Sequence, residues 1–186
     1  MGRGTVGEPA LRVIRGGRCT EVKYRSVRIV AATPEKPPFG IDAVAFEEDT
    51  YLVLSAPPEF HEVNEHPVRI LTEAFTMRPA VPGCVIVKGS HPFRLLAIVH
   101  DLNEDPTWRE EWIKEALEKI FRETEQRRLQ SLALPLLGTR FGSLEARRFA
   151  QLLRDVLERT QIVYLNKLWL MVSDESHCRI LSVFEG

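Results

Sequence analysis

Residues 132–153, LALPLLGTRFGSLEARRFAQLL, run as an apolar strand, break into Gly138, Thr139, Arg140, Phe141 and Gly142, and resume from Ser143 as an amphipathic helix. Such a turn is suited to holding an anion. Its glycines let backbone approach a ligand, and the helix that follows presents unpaired N–H groups at the positive end of its dipole. Thr139 and Ser143 add hydroxyl donors, while Arg140, Arg147 and Arg148 add local positive charge. Phosphate is the expected occupant and Gly138 through Ser143 the expected binding residues. The plainer alternative is a tight strand-to-helix turn with solvated arginines. A Walker loop is excluded, because the GxxxxGK[ST] spacing and its lysine are missing.

Other groups could in principle do chemistry, and each has a simpler expectation. HEVNEH, residues 61–66, is one residue too long for HExxH. Five helical steps rotate about 140° against about 40° for four, and Pro67 opposes a helix there. His61 and His66 are therefore expected as exposed loop residues and not as a metal site. Ser90, His91, His100 and Asp101 contain a nucleophile and a base but no GxSxG elbow, so a polar turn and a strand-end histidine are expected. Glu47, Glu48 and Asp49 could hold a cation or act as a base, but three consecutive acids read as a solvated turn between strands. Cys19, Cys84 and Cys178 are odd in number and lack a CxxC, which predicts reduced thiols with neither disulfide nor zinc. No catalytic residue, metal or cofactor is assigned.

The elements that must position the loop follow from pattern. At 186 residues, 44% apolar and 27% charged, the chain suits one domain, here residues 10–186 after a loose 1–9. A net charge of -1 supplies no long-range field toward nucleic acid or an anionic membrane, so any anion site must be local. No apolar run approaches ~20 residues and the first residues lack a signal-peptide core, which predicts a cytoplasmic protein. Only three asparagines are present, a usage that leans toward a thermophile.

ALRVIRGGRCTEVKY predicts a hairpin turning at Gly16–Gly17, followed by a strand at Val27 to Ala31. IDAVAF, TYLVLSA, CVIV, RLLAIVH, 132–137 and LWLMV (168–172) read as strands, and HPVRILTEAF as a short helix. From Pro106, with Asp105 as N-cap, Trp108, Trp112, Ile113, Ala116, Leu117, Ile120 and Phe121 form one helical stripe over 106–126. Glu110–Lys114, Glu115–Lys119 and Glu118–Arg122 are the expected pairs on its solvated face. A second helix over 144–159, capped by Ser143, buries Phe149, Leu152, Leu153, Val156 and Leu157. Apolar strands separated by amphipathic helices predict a three-layer α/β fold, a mixed central sheet with helices on both faces.

SLALPLLGTRFGSLEARRFAQLLRDVL resembles the second phosphate loop and following helix of macro domains, the ADP-ribose-binding modules. RLLAIVHDLNEDPTWREEWIKEALEKI is similar to that family's histidine-ended strand, loop and long helix, with His100 at the histidine. GIDAVAF resembles its V-D-A-I-V-N strand, with Asp42 at the aspartate. The resemblance implies a macro-like fold and a small phosphate-bearing ligand, ADP-ribose or a related nucleotide. The departures are specific. Ala45 to Asp49 replace the asparagine-bearing first loop, Ala32 and Thr33 replace the Gly-Asp of adenine recognition, and Ser173 replaces an aromatic. Arg140 and Ser143 stand where glycines usually do, so Arg140 either forks a phosphate or fills its place. A binding module is expected ahead of a protein-interaction platform, and both ahead of a hydrolase of ADP-ribosyl groups, which would need the missing loop to orient ribose and water.

Overall fold

Alternating apolar residues and a tight turn set the first ladder. In the computed structural model, which describes residues 21–54, 79–173 and 175–185, β1 (Glu21–Tyr24) and β2 (Val27–Ala32) pair antiparallel through Arg25 and Ser26. The expected Gly16–Gly17 hairpin and the 66–75 helix lie outside the described residues. Five parallel strands follow across the sheet: β2, β7 (Lys167–Met171), β6 (Ser131–Pro135), β3 (Ala43–Asp49) and β5 (Phe93–His100). β4 (Val85–Lys88) closes the far edge antiparallel to β5, so the sheet is mixed and its order is β1-β2-β7-β6-β3-β5-β4.

Parallel neighbours need crossovers, and two amphipathic helices supply them. α1 (Glu110–Gln126) joins β5 to β6, and α2 (Ala146–Arg159) joins β6 to β7. The two helices touch each other and so share one face of the sheet. Ile113, Leu117 and Phe121 of α1 and Phe149, Leu153 and Val156 of α2 pack there with Ala43, Ala45, Leu95, Ala97, Leu132 and Leu134. Side chains of the opposite parity, Val30, Leu96, Ile98, Ala133 and Trp169, are also buried, so both faces are covered as the apolar strands predict. A run of 3₁₀ turns, Glu175–Phe184, packs beside α2 and against β1 and β2. Among the described residues no helix is long and apolar enough to cross a membrane.

The structure departs from the expected elements in four places. TYLVLSA is not a strand where it is described. The chain turns at Thr50, because the Asp49 carboxylate accepts the N–H groups of Tyr51, Val53 and Leu54 at 2.6, 3.1 and 3.1 Å, taking donors that a ladder would need. The long helix begins at Glu110, with extended Arg109 before it, and not at Pro106. Trp108 bridges back to His100 and Thr107 O accepts from Asp101 N at 2.7 Å, which holds that stretch extended and removes Trp108 from the helical stripe. Ser143 does not cap α2. Leu144 N donates to Gly138 O at 3.1 Å and the helix starts one turn later, behind Glu145. Finally, Glu115–Lys119 forms as expected at 3.9 Å, whereas Glu110 reaches across to Arg148 of α2, accepting from Nε and the terminal nitrogen at 2.8 and 2.7 Å.

Two predictions follow from these ties. Asp42, just before β3, accepts N–H from Gln130 and Ser131 at 2.8 and 3.0 Å and so fixes β3 against β6. Asp42→Ala is expected to cost about 1–3 kcal/mol, read as a lower urea midpoint at unchanged slope. The hydrogen bond from Arg148 holds the Glu110 carboxyl below its ordinary value of 4.5. Its contribution to stability is therefore present above pH 4.5 and lost as pH falls through the lower folded value. The stability gap between the native chain and Glu110→Gln should close on acidification; a gap independent of pH would refute the pairing.

Candidate functional site

β3 and β6 are hydrogen-bonded neighbours only at their starts. They pair through Ala43–Leu132 and Val44–Ala133 and no further, so their carboxyl ends stand apart. The chain leaving β3 continues toward β5, while that leaving β6 goes over to β7. This is a switch point, the place where open α/β sheets form ligand crevices.

One side chain spans the gap. Ala43, Ala45 and Glu47 alternate onto the helix-covered face, and Glu47 is 7% exposed. Its Oε1 lies 2.6 Å from His100 Nε2 and accepts the Gly138 N–H at 2.9 Å. His100, 1% exposed, has Nδ1 3.3 Å from Thr107 Oγ1. Both imidazole nitrogens are thus committed inside the protein, and His100 presents neither to a ligand. The solvated turn expected at Glu47 to Asp49 is thus the buried end of a strand. The signal that identifies Glu47 is the two-residue alternation from Ala43, which continues through the acids.

Beyond Gly138 the loop closes tightly. Thr139 donates from both N and Oγ1 to Leu136 O, at 3.1 and 2.7 Å. Gly138 has φ +77°, and a Cβ there would lie 2.6 Å from Ile113 Cδ1. At Gly142 a Cβ would meet Gly138 O at 2.5 Å and the Trp108 indole at 2.8 Å. Both glycines are required by space, the first also by conformation. Arg140 is exposed, its guanidinium 5.0 Å from the Phe141 ring centre, and Phe141 sits edge-on to His100 at 6.4 Å. Ser143 is exposed. Among the described residues, the N–H groups of Arg140, Phe141, Gly142 and Ser143 donate to no protein acceptor. A cleft of about 360 Å³ opens beside them, between Trp108 and the first turn of α2, lined also by Ser143, Arg147 and Gln151.

Of the six loop residues Ser143 lines this cleft, with Trp108, while Gly138 is held by Glu47 at the gap between β3 and β6. Asp42 lies at the opposite end of β3, where it serves the backbone. Ser90 and His91 precede β5 and His100 ends it, so they form no constellation. His61 and His66 lie outside the described residues, and Cys84 is a half-buried free thiol. At the ends of β2 and β7, Ala32 O already accepts from Val172 N and from Trp169 Nε1.

Removing the Glu47 carboxylate would leave His100 and the Gly138 N–H buried without their partner. Glu47→Ala is expected to cost about 3 kcal/mol, and Glu47→Gln less, since its carbonyl can still accept from Gly138. Guanidinium unfolding and amide exchange at Gly138 are the measurements; equal stability of all three proteins would show that the gap is held by something else.

No family model matches the sequence, and no curated protein sequence matches it. Solved structures do. A variant of the Oceanobacillus iheyensis macrodomain with ADPR superposes with TM-score 0.63 at 11% identity, covering 87% of this chain and 94% of that one. The macro domain of ganglioside induced differentiation associated protein 2 gives 0.58 at 9%, covering 84% and 83%. The macrodomain of Thermus aquaticus DarG gives 0.52 at 18%, covering 77% and 96%. At these identities the likeness is one of fold.

Proposed function

We propose that this chain, which has the macrodomain fold, binds ADP-ribose or a related phosphate-bearing nucleotide, with a phosphate against Gly138, Thr139, Arg140, Phe141, Gly142 and Ser143. The observation that carries the reading is the run of four N–H groups from Arg140 to Ser143 that lack an acceptor among the described residues, at the switch point and beside an exposed arginine. Its fold neighbours from Oceanobacillus iheyensis hold ADPR and ADP, which supports the ligand class. Arg140 stands outside the crevice as a charged fork for the phosphate. The group that fills the first donor of the loop is the Glu47 carboxylate on Gly138 N–H. The ligand's phosphate therefore engages the loop further along, and the cleft between Trp108 and Arg147 gives room for the rest of the molecule.

Hydrolysis finds no support in this geometry, because His100 is engaged by Glu47 and Thr107, and Glu47 Oε1 by His100 and the Gly138 N–H. An interaction platform is the second reading. It is favoured by Phe141, an aromatic left 43% exposed at the tip of a rigid loop.

Calorimetry with ADP-ribose, ADP and inorganic phosphate tests the proposal. Two or more free N–H donors and one arginine predict dissociation constants from about 10 μM to 1 mM, weakening with salt. Arg140→Ala should weaken binding about fivefold or more. No heat at millimolar ligand would discard the nucleotide reading in favour of the platform, and tighter binding by Arg140→Ala would mean that Arg140 blocks the site.

A further inference from the structure

The amino-terminal end of the sheet, opposite the loop, gathers cations over aromatic rings. Arg127 lies 5.7 Å from the centre of Phe93, Arg128 5.6 Å from Tyr164, and Lys167 Nζ 5.9 Å from Phe39. These residues belong to the turns that feed β7, β6, β3 and β5, which are adjacent. Three inter-strand spacings set the row at about 14 Å across.

The carboxylates near this row are occupied. Glu125 accepts the N–H groups of Val163, Tyr164 and Leu165 at 2.9 to 3.1 Å, Asp42 accepts two more, and Glu123 pairs with Arg127. Arg128 and Lys167 have no carboxylate at ion-pair distance among the described residues. The three bonds to Glu125 also fix a loop that leaves Val163 65% and Tyr164 40% exposed. Arg128 itself has φ 54°, directly after α1, a position where glycine adopts that backbone without strain. Arg128 N donates to Glu125 O at 3.1 Å and Leu129 N to Thr124 O at 2.9 Å, a helix-ending turn that accounts for this backbone.

We propose that this end of the sheet is a binding surface for single-stranded nucleic acid. Phosphates would meet Arg128 and Lys167, and a base would stack on Tyr164 and the Arg128 plane. Arginine suits this better than lysine, since its planar guanidinium stacks as well as pairs. A lipid surface fits less well, because Val163 and Tyr164 are too few to insert and the other aromatics lie beneath cations. The row's three cations, Arg127, Arg128 and Lys167, are matched in number by Glu123, Glu125 and Asp42, so attraction is confined to the two cations left without an ion pair among the described residues. A surface fixed before binding loses little conformational entropy on binding.

Fluorescence anisotropy with a labelled oligouridylate of ~12 nucleotides tests this, using the intact chain at about 50 mM salt. Micromolar binding that falls steeply with salt is expected. The double variant Arg128→Gln, Lys167→Gln should lose about tenfold in affinity and flatten the log–log salt slope by about 1.4, two phosphate contacts' worth for a single strand. Tyr164→Ala should lose about fivefold with the slope unchanged. Thermal melts that match the native protein verify that the variants fold. Arg140→Ala should leave oligonucleotide binding intact, and the double variant should leave the ADP-ribose heat intact, so this surface and the loop are judged separately. No binding overturns the proposal. So does binding that is lost in Arg140→Ala, or binding indifferent to Tyr164→Ala and matched by heparin or by phosphatidylserine vesicles.

Discussion

A carboxylate placed where two parallel strands part is the constraint on which the rest of this molecule turns. β3 and β6 share only two residue pairs, and past Val44 the sheet would have a slot in it. Glu47 fills that slot and joins three segments at one oxygen: its own strand, His100 at the end of β5, and Gly138 beyond the end of β6. A carboxyl so buried is tolerable only because hydrogen-bond partners meet it, and the dependence runs both ways. Gly138 can offer its N–H only in a left-handed conformation pressed against Ile113, so the first turns of α1 must already be seated on the sheet. Thr107 reaches His100 because residues 101–107 turn back and Trp108 bridges to His100, and α1 starts only at Glu110. The bridge at Trp108 and the late start of α1 go with the contacts among Glu47, His100 and Thr107, whereas the turn at Thr50 belongs to Asp49.

The same contact limits what the loop can hold. Gly138 would be the first donor to an incoming anion, and it is already used by an internal one. A phosphate ~7 Å from Glu47, about two residues further along the chain, would be repelled by about 2 kcal/mol at an effective dielectric of ~20. One arginine and two or three backbone donors offset that and little more. Weak, salt-sensitive affinity is thus what this architecture would impose on the proposed ligand. The loop itself is rigid, closed by three hydrogen bonds to Leu136 and Gly138 and by glycines that no larger residue could replace.

Periodicity made most of the fold legible. The apolar runs before His100, Pro135 and Met171 and the stripes of α1 and α2 depend on burial of many residues at once, and a single misread position does not change them. The candidate loop was legible for a similar reason, since Gly138 and Gly142 punctuate an otherwise apolar strand. What escaped the reading were single polar contacts formed between distant segments. Glu47, Glu48 and Asp49 look like a solvated turn because charge usually means water, yet Glu47 and Asp49 are matched to N–H groups that only the folded chain supplies. Asp105 and Ser143 are good caps by type, but Trp108 bridges to His100 and Leu144 N donates to Gly138 O, so neither helix begins directly behind them. Local preference yields wherever a buried donor or acceptor would otherwise be left alone.

A pattern in the charges follows from this and connects the two ends of the sheet. The acids and bases of this chain nearly cancel in number, 26 against 25, but they are not used alike. Asp49 and Glu125 each accept three backbone N–H groups, Asp42 two, and Glu47 one with a histidine beside it. These carboxylates close the turns at which strands begin and end, and the dipoles they accept damp their field outside. Arginine cannot play that part, because it carries donors only and strand-end N–H groups need acceptors. It is left on the surface, stacked on Phe141 at one end and on Phe93 and Tyr164 at the other. Using acids as backbone caps thus leaves arginine over aromatic rings at both ends of a nearly neutral protein, Arg140 at one and Arg127 and Arg128 at the other.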